Sequence, residues 1–193
     1  MKKPVTTLIG AIAGLLLAAG PAAAQETDTR GQPLGRPEVK TVGDWQVRCF
    51  TVNSTHPCDL FQEMADQNTH QRILSVSLAY DPTIDRHLLQ ITVPLEVAIQ
   101  KGMTVQTDSY TSPVLKYRMC TREGCFVQML ADNAMVEALV KSGPDAKLNI
   151  FADGGKSYGL KFSLKGFSAA HDDMVSQARA KAKKPAEAPA AKP

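Results

Sequence analysis

VLKYRMCTREGCFVQML, residues 114–130, sets two cysteines, Cys120 and Cys125, on either side of Thr121-Arg122-Glu123-Gly124. The segments VLKYRM and FVQML read outward from that loop as two strands, and Gly124 can take a positive φ without steric cost. Folded as a hairpin with a four-residue loop, the two cysteines face each other on antiparallel strands, at a separation that a disulfide spans. The same residues are also compatible with a redox centre or half of a metal site. The compartment decides among these.

The 193-residue chain opens MKKPVTTLIGAIAGLLLAAGPAAAQE. Two lysines precede an apolar run, and Ala22-Ala23-Ala24 stands before Gln25. Residues 1–24 therefore read as a secretory signal peptide cut after Ala24. The run is shorter than the roughly 20 residues a membrane-spanning helix needs, and Gly20-Pro21 interrupts it. No cysteine stands at the cleavage position, so nothing suggests a lipid anchor. The expected location is an exported, oxidising compartment: the periplasm, with outer-membrane association or secretion as variants of the same reading.

Loss of Lys2 and Lys3 with the leader lowers the formal net charge of +3 by two. That leaves too little positive charge for a nucleic-acid surface, and no later segment is apolar enough to span a bilayer. Residues 25–37 read as a linker. Residues 177–193, rich in Lys, Ala and Pro without aromatic or β-branched residues, read as a disordered tail. Between them, residues 38–176 make one domain, long enough for a single core.

Within that domain, period-two alternation recurs between turn signals. Val42, Trp45, Val47 and Cys49 alternate with polar residues around Gly43-Asp44. CDLFQEMA follows Pro57, and ILSVSLAY halts at Asp81-Pro82. LLQITVPL, MTVQTDS, VLKYRMC and CFVQML continue the series. KLNIFA and YGLKFSL flank Asp153-Gly154-Gly155-Lys156, a hairpin turn. Two segments look helical: DNAMVEALVKSGP, capped by Asp132 or Asn133 and stopped at Gly143-Pro144, and SAAHDDMVSQARAKA, with Ser168 as its expected cap. The fold class is mainly β: about nine strands in a two-sheet sandwich, with one short helix and one C-terminal helix.

Four cysteines in an exported domain form two disulfides as a rule, and three connectivities exist. The local pairs Cys49–Cys58 and Cys120–Cys125 are favoured because each flanks a turn, and each closure contributes about 2–3 kcal/mol. Zinc needs four converging ligands, and neither pair has the C-x-x-C spacing of a ribbon. Catalytic thiol exchange generally uses C-x-x-C at a helix N-terminus, and C-x4-C in a hairpin has neither feature.

Other chemistry finds no support. His56, His70, His87 and His171 are scattered and read as solvated surface residues. Asp44, Asp59, Asp81, Asp85 and Asp108 lack calcium-loop spacing. Met64, Met103, Met119 and Met129 read as core filler rather than copper ligands. Trp45 and Phe167 also read as core. No cofactor is expected, and no catalytic residue.

The segments VGDWQVRC, CDLFQ, VPLEVAIQKGM, YRMCTREGC and LKFSLKGFSAAHDDM, in that order, resemble the invasion-associated locus B (IalB) family of alphaproteobacterial exported proteins. Gly43, Asp44, Trp45 and Cys49 match the family's opening pattern. Cys120, Gly124 and Cys125 match its cysteine hairpin, and Lys165, Gly166, Phe167 and Ala170 its closing segment. Glu96 departs from it, where the family commonly has glycine. The resemblance implies an immunoglobulin-like sandwich, export, no enzymatic activity and, in pathogenic members, a link to invasion of host cells. Two readings follow. One is a periplasmic or surface binding protein of adhesion type, for which Thr121, Arg122 and Glu123 are the candidate contact loop and an envelope or host protein the partner. The other is an envelope housekeeping protein that binds a protein or, through its basic tail, a cell-wall polymer.

Overall fold

The computed structural model describes residues 35–51, 54–152 and 154–182. Positions 1–34 (the expected signal peptide and most of the expected linker), Val52, Asn53, Asp153 and the last eleven positions, 183–193, lie outside the described residues. Ten strands and two α-helices follow in the order β1 (Glu38–Val42), β2 (Trp45–Cys49), β3 (Cys58–Ala65), β4 (Arg72–Asp81), β5 (Arg86–Val93), β6 (Thr104–Gln106), β7 (Met119–Thr121), β8 (Gly124–Ala131), α1 (Asn133–Lys141), β9 (Asp145–Phe151), β10 (Ser157–Ser163) and α2 (Phe167–Lys181). A 3-10 turn lies at Ile99–Lys101.

Seven strands form one antiparallel sheet, ordered β1-β2-β3-β4-β5-β8-β7, and three form a second, ordered β10-β9-β6. The architecture is a mainly-β, sandwich-like one. Its larger sheet is a meander in which β1 to β5 each lie beside the next, a different strand division from the Greek key of an immunoglobulin domain.

Alternation explains the burial. Trp45, Val47 and Cys49 on β2, Cys58 and Leu60 on β3, Leu74, Val76, Leu78 and Tyr80 on β4, and Leu89, Ile91 and Val93 on β5 turn into one core. Cys125, Val127 and Ala131 extend it across β8, and Leu148, Ile150 and Phe162 supply the second sheet's share. Helix α2 packs Phe167, Ala170, Met174 and Ala178 into that core, spaced three and four apart along one stripe. The helix continues to Lys181, past the 176/177 boundary drawn from composition, because buried Ala178 still faces the core.

Two segments near the ends of the domain meet. Gly43 (φ 62°) and Gly166 (φ 82°) lie against each other. A Cβ on Gly43 would sit 2.3 Å from the Lys165 carbonyl, and one on Gly166 would sit 2.6 Å from the Val42 carbonyl. Both positions therefore require glycine on two counts, conformation and space. Asp44 N donates to Lys165 O (3.0 Å), and Ser163 Oγ donates to the Asp44 carboxylate (2.6 Å). Trp45 is fully buried, donates its indole N–H to Ser163 O (2.9 Å), and meets Phe167 edge-on at 4.9 Å between centroids. Gly166, not Ser168, is the residue preceding the first turn of α2, and no side chain caps it.

Other expectations hold in part. Asp132 caps α1, its carboxylate accepting from Ala134 N and Met135 N. Gly154 and Gly155 take positive φ in the β9–β10 turn. Strand β1, hydrogen-bonded to β2, replaces the single strand read across Gly43-Asp44. The strand expected from Val114 is confined to β7. Leu115 bridges back to Met103 instead of facing β8, so Val114–Tyr117 is irregular.

Candidate functional site

Cys49 and Cys58 are bonded across β2 and β3, and Cys120 and Cys125 across β7 and β8. In each case the cysteines are direct cross-strand partners, with Cα atoms 4.1 and 4.0 Å apart. Cys49 and Cys58 are both buried beside the core, whereas Cys120 lies at the surface and only Cys125 is buried.

The β7–β8 hairpin is tighter than a four-residue loop. Thr121 pairs with Gly124, which leaves Arg122-Glu123 as the turn. Gly124 has φ 135°, and a Cβ there would lie 2.3 Å from the Val93 carbonyl, so the turn presses directly on β5. Glu123 N donates to Thr121 Oγ1 (3.1 Å), and Arg72 Nη2 on β4 donates to Glu123 O (2.7 Å). The Thr121 hydroxyl and the Glu123 carbonyl are thus used to hold the tip. The exposed Arg122 side chain and the Glu123 carboxylate project from it.

Beside this tip lies a shallow depression of about 410 Å³ on the outer face of the larger sheet, lined by Gln90, Met119, Thr121, Arg122, Glu123, Phe126 and Gln128. The register explains its composition. Thr92, Phe126 and Met119 align across β5, β8 and β7; Gln90 and Gln128 form the next row, and Leu88 and Leu130 the one after. Gln128 Nε2 donates to Gln90 Oε1 (2.6 Å). Met119 is 51% exposed and Leu130 45%. Met119 and Met129 are therefore surface residues, contrary to the core placement expected from sequence; Met103 is buried and Met64 partly buried. The outward direction of Phe126 and Gln128 was available in the alternation with Cys125 and Val127. The contribution of β5 and Arg72 was not, because only the sheet order brings them there.

The histidines are not all solvated. His87 on β5 and His171 on α2 meet with Nε2 atoms 3.0 Å apart, while His56 and His70 are exposed. Burial, and then the neighbouring His171, pull His87 down to about 4 from the ordinary 6.5. Among the described residues no three His, Cys, Asp or Glu side chains converge in a way that could hold a metal ion. Nor is any helix long and apolar enough to cross a membrane.

Known proteins resemble this chain in sequence and in fold. Residues 45–175 match the family described as Invasion associated locus B (IalB) protein. Two Brucella abortus proteins, each named an Invasion protein B homolog and drawn from strain 2308 and from biovar 1 strain 9-941, are 32% identical over 136 residues, covering 69% of this chain and 76% of theirs. The crystal structure of invasion associated protein b from Bartonella henselae superposes with a TM-score of 0.64 at 20% identity, over 74% of this chain and 99% of that one, and so shares the fold. Glu96, where the resemblance implies glycine, adopts φ 68°, a left-handed conformation that favours glycine. By its residues, and in agreement with its fold, the chain belongs to the invasion-associated locus B family, a group of non-catalytic exported proteins.

Proposed function

We propose that the protein is exported by a signal peptide cleaved after Ala24 and acts as a binding factor without catalysis. Its contact surface is the tip of the β7–β8 hairpin, Thr121-Arg122-Glu123, with the sheet face beside it. The partner is an envelope or host-cell protein, reached from the periplasm or from the outer surface. The supporting observation is the pairing of exposed Met119 with half-buried Phe126 next to two opposite charges, on a turn held by a disulfide, a required glycine and Arg72. Apolar surface rimmed by charge on a rigid element is what protein recognition uses, because little ordering entropy is lost on contact. Met119→Asp and Arg122→Glu, expressed in a strain lacking the native protein, test this. The expected result is a folded, exported protein with at least about tenfold weaker partner crosslinking, the scale of one lost anchor. Unchanged crosslinking by both variants contradicts it.

A second reading is supported by the Lys/Ala/Pro composition of residues 183–193, which suits attraction to anionic cell-wall polymer. Retention of the full-length chain on peptidoglycan, with loss of retention when the chain is cut after Ala182, supports envelope binding through the tail. Equal retention of both removes that reading.

A further inference from the structure

His87 and His171 stand 84 positions apart in sequence, yet their rings meet: Nε2 to Nε2 3.0 Å, centroids 5.0 Å, planes at 29°. That is hydrogen-bonding distance, and it requires one nitrogen to carry a proton and the other a lone pair. His171 Nδ1 faces the Asp172 carboxylate at 3.4 Å. With its proton on Nδ1, His171 offers the Nε2 lone pair and His87 donates Nε2–H. The contact joins the large sheet to α2, one turn along the helix from Phe167, which packs on Trp45.

We propose that the His87–His171 pair is an acid-sensitive latch, holding α2 on the sheet at neutral pH and letting it go when both rings are protonated. One added proton leaves the latch closed: an imidazolium on either ring still donates Nε2–H to the other ring, whose tautomer then keeps its own proton on Nδ1. A second added proton places N–H against N–H at 3.0 Å, with two like charges in a half-buried site, and the bond is lost. With two imidazoles and no third ligand converging among the described residues, the pair suits a proton better than a metal ion.

The charged surroundings set where this happens. From the turn before β5, Asp85 favours the protonated form of His87, and its carboxylate also accepts the Tyr80 hydroxyl from β4. The Tyr80 ring packs against His87 at 5.0 Å. From α2, the Asp172 carboxylate lies 3.4 Å from His171 Nδ1, and Arg179, which donates to the Tyr80 hydroxyl (3.0 Å), adds positive charge nearby. From β8, the partner opposite His87 is the uncharged Ala131, whose carbonyl accepts from Arg86 (3.4 Å). The remaining ionic ties of α2, Lys40–Asp173 (2.9 Å) and Lys181–Glu38 (2.7 Å), lie on the exposed β1 side. Lys181 holds the Glu38 carboxyl below its ordinary range.

The sign follows from linkage. His87 in the folded state, at about 4, binds its proton less readily than in the unfolded chain, at 6.5. The stabilisation is therefore complete above about pH 6.5 and is lost as pH falls from there through about 4.

Trp45 is the single tryptophan and touches the first residue of α2, so its emission reports helix docking directly. The test is an acid titration of the full chain from pH 7.5 to 3, following Trp45 emission and strand circular dichroism. It is repeated on His171→Gln and His87→Gln, which keep a hydrogen-bonding amide but cannot be protonated. The wild type should show an emission change that precedes loss of the strand signal, and each variant should move it about one pH unit or more lower. The same midpoint in wild type and both variants overturns the latch. Ring titration of the wild type by NMR covers the case of a variant that does not fold. Two coupled steps shared by His87 and His171 support the proposal, and two independent single-step curves overturn it.

Discussion

The Trp45–Phe167 contact and the β7–β8 tip use the same devices to opposite ends. Each has glycine forced by close backbone approach, Gly43 against Gly166 in one and Gly124 against Val93 in the other. Each shares a strand with a cross-strand disulfide, through Cys49 on β2 in one and Cys125 on β8 in the other. Around Trp45 these devices exclude water, so the aromatic pair and the Cys49–Cys58 bridge are buried. At the tip they leave Met119, Arg122 and Glu123 in solvent. Two of the family's motifs, Gly-Asp-Trp and Lys-Gly-Phe, thus form one packing contact between the start and the end of the domain. Under the proposed function, the partner is met elsewhere, on the rigid edge.

The largest break in this comparison comes at the buried end. Trp45→Ala removes the central aromatic and one of the two donors to Ser163 O, so unfolding in urea should show a loss of about 3–5 kcal/mol. A loss below about 1 kcal/mol contradicts the role assigned to that contact. Next, the two disulfides should separate. Cys49→Ala with Cys58→Ala should cost about 3 kcal/mol or more, because a larger loop is opened and core volume is lost. Cys120→Ala with Cys125→Ala should cost about 2 kcal/mol, measured the same way, with no thiol–disulfide turnover to lose in either case.

Smaller effects sharpen it. Glu96→Gly relieves the left-handed strain at φ 68° and should raise stability by about 0.5–1 kcal/mol, visible as a rise in thermal midpoint. Arg122→Ala should alter stability by less than about 0.5 kcal/mol, since its side chain is exposed, while weakening partner capture. A stability loss beyond that range makes the tip structural in its own right.

Particular residues show what the sequence could disclose. Strands β2, β3, β4 and β8 were legible because one face is buried and the other wet, which writes a period of two. A cap at Asp132 or Asn133 was legible because a capping side chain acts within its own helix, and the structure selects Asp132. Strand β1 was not, since Glu38 and Lys40 at an exposed edge leave no apolar signal. The tip was read as four residues because nothing local announces that Thr121 pairs with Gly124. Met119 was placed in the core because methionine is equally at home in a core and on a binding surface. The His87–His171 contact depends on how α2 lies across the sheet, which no local pattern records.

The central claim is that the edge at β7–β8, and not the rest of the same sheet face, meets the partner. Photocrosslinking in cells, with the crosslinker at position 122 and, separately, at exposed Gln46 on β2, tests it most directly. The account predicts one defined adduct from position 122, absent when Met119→Asp is also present, and none from position 46. Equal adducts from both positions, or an adduct from position 46 alone, contradict it.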